Sequence, residues 1–406
     1  MPTDDAAGRG ARRRPAARVR GQWLAAAHGG VAYSQGMTVS LGLPTIPRRL
    51  AAGETAAAAA ALPVRPGSDS APGLLDRFGR TATDLRVSLT DRCNLRCTYC
   101  MPADGLPWLP KDQALSADEI VRLVSIGVRD LGVRQVRFTG GEPLLRADLV
   151  DIVRRVAALE PRPDISLTTN AIGLAQRARA LADAGLDRIN VSLDSLHAET
   201  FETLTRRPFL DKVLAGVDAA AAAGLTPIKI NAVLLPGVND HEAADLLAWA
   251  LAGGHELRFI EQMPLDADHT WERDSFVTSL DIRTRLAERF VLSPHAAPRD
   301  GAPAERFDVV GHGADAGLAG TVGIIASVSD PFCGDCRRTR LTAEGGVRSC
   351  LFGDAETGLR DPMRAGADDR ELADLWRGAM WTKPASHGID RPDFVQPARS
   401  MSAIGG

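Results

Sequence analysis

The chain has 406 residues, a formal net charge of −3 and 45% hydrophobic residues, enough for one large domain, or one plus an appendage, with ample core. Near-neutral charge gives no whole-molecule case for a nucleic-acid or membrane partner. No run reaches the roughly 18 apolar residues of a spanning helix, and the N-terminus lacks a compact apolar core with a cleavage site. The default expectation is a cytoplasmic enzyme.

Residues 1–75 are rich in Ala, Arg, Gly and Pro, with Arg12-Arg13-Arg14 and the run Ala56 to Ala61, and show no sustained apolar period. They read as a disordered leader. Asp4, Asp5 and the scarcity of Ser argue against a mitochondrial transit peptide, and Met37 is an alternative start.

From Asp84 onward, apolar-rich strands alternate with helix-period segments. The strands are Asp84 to Leu89, Gln135 to Thr139, Ile165 to Asn170, Arg188 to Asp194, Pro227 to Leu235 and Glu256 to Glu261. The first helix opens on Ser116-Ala117-Asp118-Glu119, a capping box, with Leu115 and Ile120 spaced for a hydrophobic staple. Six strand-then-helix units imply an α/β fold with a parallel sheet, either curved toward a barrel or open and doubly wound.

Helix-covered parallel strands are normally apolar on both faces, yet here one face of nearly every strand is polar. Alternation puts Arg86 with Ser88, Arg137 with Thr139, Ser166 with Thr168 and Asn170, Asn190 with Ser192 and Asp194, and Lys229 with Asn231, while Arg258 stands between Leu257 and Phe259. An eight-stranded closed barrel fills its interior with branched apolar side chains. Six strands with a polar lining suggest instead an incomplete barrel, open to a large polar ligand. Arg86, Arg137, Lys229 and Arg258 on that lining call for a bound anion, and a polyphosphate suits guanidinium groups well. The competing reading pairs these cations with inward carboxylates.

All 6 cysteines fall into two groups of three, Cys93, Cys97, Cys100 and Cys333, Cys336, Cys350. An odd number in each group argues for metal or cluster ligation over disulfides. The first group, Cys93-Asn94-Leu95-Arg96-Cys97-Thr98-Tyr99-Cys100, is spaced C-x3-C-x2-C at a strand end. Three thiolates on a [4Fe-4S] cluster leave one iron open; a zinc site completed by a distant residue is the alternative. For the second group, a zinc half-site closed by Asp335 is the alternative.

The first triad, with Tyr99 before its last cysteine, followed by Thr139-Gly140-Gly141-Glu142-Pro143 at the next strand end, resembles the radical S-adenosylmethionine (SAM) superfamily. Gly140 and Gly141 would let the backbone approach a ligand, and Glu142 would accept from an ammonium. Arg86 to Cys93, Arg137 to Leu144, Thr168-Thr169-Asn170, Asn190 to Asp194 and Arg258 to Glu261 narrow the resemblance to the GTP 3′,8-cyclase family of molybdenum cofactor biosynthesis. It extends over Asp76 to Gly406, with Cys333-Gly334-Asp335-Cys336, Arg338-Thr339-Arg340, Lys383-Pro384-Ala385-Ser386-His387 and the terminal Gly405-Gly406.

The resemblance implies an incomplete (βα)6 TIM-type barrel over residues 76–262. A C-terminal extension, 263–406, would carry a second Fe-S cluster and the Gly-Gly tail. It implies two [4Fe-4S] clusters, one on each triad, and SAM held by Tyr99, Gly141, Ser192 and Met263. GTP would contact Arg86, Arg137, Thr168, Lys229, Arg258, Arg338, Thr339 and Arg340, with its guanine at the second cluster and Gly405 and Gly406 assisting catalysis. A radical formed from SAM would take hydrogen from C3′ of GTP, which then closes onto C8. Implied partners are an electron donor such as flavodoxin or ferredoxin and the next-step cyclic pyranopterin monophosphate synthase, with a homodimer allowed. Gln135 in place of lysine and Gln262 in place of an aromatic bear on affinity. A peptide-modifying radical SAM enzyme and a non-catalytic cluster- or zinc-binding module are the alternatives.

Overall fold

The computed structural model describes residues 73–405, so most of the leader, the alternative start at Met37 and Gly406 lie outside the described residues. The elements, in order, are β1 (Leu74–Leu75), β2 (Thr81–Ala82), β3 (Asp84–Ser88), α1 (Ala117–Arg129), β4 (Gln135–Thr139), α2 (Leu149–Ala157), β5 (Asp164–Thr169) and α3 (Ala178–Asp183). There follow β6 (Arg188–Ser192), α4 (Ala198–Thr205), α5 (Leu210–Ala222), β7 (Ile228–Val233), α6 (Ala243–Ala252) and β8 (Glu256–Ile260). The C-terminal part holds α7 (Ser279–Ala287), β9 (Phe290–Pro294), β10 (Glu305–Gly311), β11 (Ala319–Ile325), β12 (Arg338–Leu341), β13 (Gly346–Arg348) and β14 (Thr357–Gly358), then α8 (Arg360–Arg364), α9 (Asp369–Trp381) and α10 (Met401–Ile404).

Strands β3 to β8 pair in parallel and in sequence order, as the strand–helix alternation predicts. The C-terminal region extends this sheet on both edges: β11 adds parallel to β8, and β12 parallel to β3. The full order is β14-β13-β12-β3-β4-β5-β6-β7-β8-β11-β10-β9. Strands β11 and β12 do not pair with each other, so the barrel is incomplete. Residues 326–337 therefore carry the chain from one open edge to the other.

The core lies between the sheet's outer face and the helices. Leu85, Val87, Val136, Phe138, Leu167, Val191, Ile230 and Phe259 are fully buried there, leaving the alternate positions to face the lumen. Helix α1 begins where predicted: Ser116 Oγ accepts from Glu119 N–H while the Glu119 carboxylate accepts from Ser116 N–H. Leu115 and Ile120 are both buried beside that cap. No helix among the described residues is long and apolar enough to cross a membrane.

Candidate active site

Register brings the arginines together. Arg340 on β12 stands opposite Arg86 on β3, which stands opposite Arg137 on β4. Their Cα atoms form one row across three strands, pointing into the lumen. Arg258 enters from β8 beside Gly323, where a Cβ would come within 2.8 Å of its Cγ. Its guanidinium donates to Asn190 Oδ1 at 2.6 Å.

Burial and mutual repulsion make this row costly. Arg86 is driven well below the ordinary arginine pKa by burial and then by Arg340 and Arg137. Burial, with Arg137, brings Arg258 to about 10, and burial, with Arg338, brings Arg340 to about 10. The Nε atoms of Arg86, Arg137 and Arg258 are buried without a hydrogen-bond partner. Cations held in this way are matched by a polyanion that accepts several charge-assisted hydrogen bonds at once.

The first triad occupies the loop after β3. Arg96 N–H donates to Thr205 O at 3.0 Å and Thr98 N–H to Leu204 O at 2.9 Å, stitching the loop to the end of α4. Arg206, in the left-handed region, donates to the carbonyls of Arg96 and Met101, both at 3.1 Å. Tyr99 donates to Asp194 Oδ2 at 2.7 Å, and the other Asp194 oxygen accepts from Val233 N–H at 2.8 Å. Burial raises Asp194 to about 6. It also raises Cys93 to about 11 and Cys100 to about 12, and Cys97 well above the usual thiol value.

The Gly-Gly-Glu-Pro turn packs against the loop that carries the first triad. A Cβ on Gly140 would come within 2.4 Å of Thr90 O, and one on Gly141 within 2.3 Å of Arg92 O. The two glycines approach the backbone leading into Cys93 and also line the cavity described below. Gly141 N–H and Glu142 N–H donate to Thr90 O and Arg92 O, each at 2.7 Å. Glu142 is fully buried; Oε1 accepts from Thr169 Oγ1 at 2.6 Å and Leu144 N–H at 2.9 Å, and Oε2 from Asn170 N–H at 2.7 Å. Burial raises it to about 7. Its oxygens fix the β4 and β5 ends from a position in the cavity wall. Asn170 in turn reaches Asn94 Oδ1 at 2.7 Å and the Cys93 sulphur at 3.9 Å.

The second triad sits on the segment crossing the barrel mouth and on the loop after β13. Buried Glu261 anchors the start of that crossing by accepting from Val328 and Ser329 N–H, both at 2.9 Å. Arg338 Nη2 lies 3.2 Å from the Cys336 sulphur. Burial raises the Cys336 thiol, but Arg338 and Lys383 outweigh it and bring the group down to about 6.

One cavity of about 310 Å³ joins both ends, its wall formed in part by all six cysteines. Arg86, Arg137, Thr168, Arg258, Arg338 and Arg340 line it, as do Tyr99, Gly141, Ser192 and Met263. Two expected contacts lie elsewhere. Lys229 pairs with Glu256 at 3.1 Å and does not reach the wall. Thr339 points to the helices, fully buried, and accepts from Trp376 Nε1 at 3.0 Å. Gln135 is exposed at the start of β4, away from the wall.

The donor sets fit four-iron clusters with an open iron. Each triad brings three thiols to the wall, and among the described residues no three His, Cys, Asp or Glu side chains gather tightly enough for one metal ion. A multi-iron cluster, with its irons at separate corners, spaces its cysteines more widely than a mononuclear zinc does. Asp335, the candidate fourth zinc ligand, instead faces Arg337 at 3.5 Å and is largely exposed.

Family models match residues 87–250 as the radical SAM superfamily and residues 255–389 as Molybdenum Cofactor Synthesis C. A GTP 3′,8-cyclase of Paenarthrobacter nicotinovorans is 62% identical over 82% of this chain and 97% of that protein. The chain belongs to the GTP 3′,8-cyclase family. The family's protein from Streptomyces coelicolor is 61% identical over 82% of this chain and 96% of its own length, and that from Mycolicibacterium smegmatis 56% identical over 91% and 100%.

The tail characteristic of this resemblance folds back into the lumen. Gly405 O accepts from Arg340 Nη1 at 2.8 Å, and a Cβ on Gly405 would meet Ser88 Cβ at 3.0 Å and Thr139 Cγ2 at 3.1 Å. With φ at +77°, Gly405→Ala is expected to cost about 1–3 kcal/mol of local strain. Cyclisation should fall about tenfold, as 1.4 kcal/mol implies, while SAM cleavage persists. Single-turnover product analysis checks both, and undiminished cyclisation would show that the tail's seat is irrelevant to rate.

Proposed function

We propose that the chain is a GTP 3′,8-cyclase, converting GTP to 3′,8-cyclo-7,8-dihydro-GTP with SAM and two [4Fe-4S] clusters, the first step of molybdenum cofactor biosynthesis. The observation that carries this reading is the single cavity shared by both cysteine triads, with a row of buried, under-partnered arginines between them. Cys93, Cys97 and Cys100 would hold a cluster whose chemistry, when bound and reduced, would be the one-electron cleavage of SAM to methionine and a 5′-deoxyadenosyl radical.

The chain's own residues provide position. Tyr99, Gly141, Ser192 and Met263 hold SAM against the first triad, with Tyr99 braced by Asp194. Arg86, Arg137 and Arg340 take the triphosphate, aided by Arg258, Arg338 and Thr168, and the guanine end lies toward Cys333, Cys336 and Cys350, which would hold the second cluster. Anchoring GTP at both ends brings C3′ near the radical and C8 near C3′, the near-attack geometry that ring closure requires. Gly405, seated on Arg340, and the terminal Gly406 assist catalysis. Lys229 and Thr339, although within the family's binding strips, support their strands in this reading.

On this reading residues 76–262 form the radical-generating core and 263–406 the substrate-side region. A cytoplasmic flavodoxin or ferredoxin supplies the electron, product passes to cyclic pyranopterin monophosphate synthase, and a homodimer suits either step. Anaerobically reconstituted protein is expected to hold about eight irons and, given GTP, SAM and a reductant, to yield the cyclic product by mass spectrometry. Tightly bound zinc without a brown chromophore, and GTP left intact, would overturn the reading. SAM cleavage that needs an added peptide would favour the peptide-modifying alternative.

A further inference from the structure

Two buried cations outside the substrate row converge on the backbone of the second triad. Arg80, just before β2, has a side chain only 8% exposed and pairs through Nε with Asp76 Oδ2 at 2.5 Å. Its Nη1 donates to Cys333 O at 2.7 Å and Ala385 O at 2.9 Å, and its Nη2 to Pro384 O at 2.6 Å. The other Asp76 oxygen accepts from Phe78 N–H at 2.8 Å and Arg80 N–H at 3.0 Å. The β1–β2 hairpin is thereby closed around the ion pair, and the guanidinium is aimed at the cysteine loop.

Lys383 approaches from the other side. It is 3% exposed, and its Nζ donates to Cys336 O at 3.0 Å and Arg338 O at 2.9 Å. Thus the Lys383-Pro384-Ala385-Ser386-His387 motif grips two carbonyls of the cysteine loop through Lys383 and is itself tied to that loop through Arg80, which holds the carbonyls of Cys333, Pro384 and Ala385.

Cations that neutralise carbonyl dipoles beside a thiolate-bound cluster act on one of its tuning levers, local charge, and hold the loop that carries its ligands. Neither Arg80 nor Lys383 is among the groups lining the cavity, so both act through the loop. We propose that Arg80 and Lys383 are positioning residues that clamp the second cluster from both sides, fixing its place against the substrate and raising its reduction potential. The inference rests on the two-cluster reading above.

The test uses the full-length, anaerobically reconstituted protein and its variants Lys383→Gln, Lys383→Arg, Arg80→Gln and Arg80→Lys. It combines iron content, EPR-monitored redox titration and product analysis. Lys383→Gln is expected to keep both clusters while the second cluster's midpoint moves to lower potential and its EPR signal changes. The first cluster's signal should remain as in wild type. Cyclisation should fall about 10–100-fold, the usual cost of losing an outer-shell partner of a metal site, with SAM cleavage retained and Lys383→Arg restoring most of the potential. Arg80→Gln should loosen the Cys333 loop and lose the second cluster's iron, with partial rescue in Arg80→Lys. Should Arg80→Gln not fold, the midpoint in Lys383→Gln decides. A wild-type midpoint and EPR signal for the second cluster in Lys383→Gln would overturn the clamp, whereas a wild-type protein lacking any second cluster would overturn the two-cluster reading itself.

Discussion

Gly141→Ala is expected to leave a folded protein that cannot seat its first cluster, with iron falling from about eight to about four and SAM cleavage reduced to background. The new methyl carbon would lie 2.3 Å from Arg92 O and 2.6 Å from both Arg92 C and Asp91 O, all main-chain atoms. Backbone cannot rotate away as a side-chain tip can, so the loop must move, and Cys93 is the next residue. Hydrogen bonds from Gly141 to Thr90 and from Glu142 to Arg92, both 2.7 Å, resist that movement. Overpacking of this kind costs about 1–3 kcal/mol, against a total stability of about 5–15 kcal/mol. The fold therefore survives, and a melting curve should drop by only a few degrees. A cluster is less forgiving, because its ligands must sit in one geometry. Retention of both iron and SAM cleavage in Gly141→Ala would show that the close approach is not what seats the loop.

This dependence was not legible in the sequence. Glycines at a strand end announce close approach, but the motif alone does not say to what. The partner is the neighbouring strand's loop, about one strand–helix unit earlier, brought alongside only when β3 and β4 pair. The six parallel strands and their polar lumen face, by contrast, followed from alternation, since period-two patterning is local. The same rule would have corrected Thr339: if Arg338 and Arg340 face inward, Thr339 faces the helices, where it meets Trp376. Lys229 shows a different limit. Alternation assigns a face but not a depth, and Lys229 stands in register with Glu256 at the β8 start, whose two-residue spacing from Arg258 placed a carboxylate on the same face. Arg80 left no local signal, since its partners Cys333 and Pro384 lie 253 and 304 residues away.

Cys350→Ala is expected to abolish cyclisation while SAM cleavage continues, separating the two halves of the site. Cys350 follows β13, whereas Cys333 and Cys336 lie on the segment crossing the barrel mouth; two thiols from one short segment do not retain a cluster built for three. Iron should fall to about four per chain. The first triad is secured by contacts made within the core, through Thr205, Arg206, Asn170 and the Gly140-Gly141 turn, so its spectrum and SAM turnover should persist. The arginine row also persists, and because triphosphate contacts supply much of the nucleotide's binding, GTP affinity should weaken by only about tenfold, or 1.4 kcal/mol. Rate responds far more strongly. Binding at one end leaves the ribose and base free to swing, and remote binding energy is converted into rate only when it fixes the reacting carbons. The signature is 5′-deoxyadenosine formed without cyclic product, measured alongside equilibrium GTP binding. Cyclisation at the wild-type rate on a four-iron protein would mean that the arginines and the tail alone orient GTP, and that the second triad has another purpose.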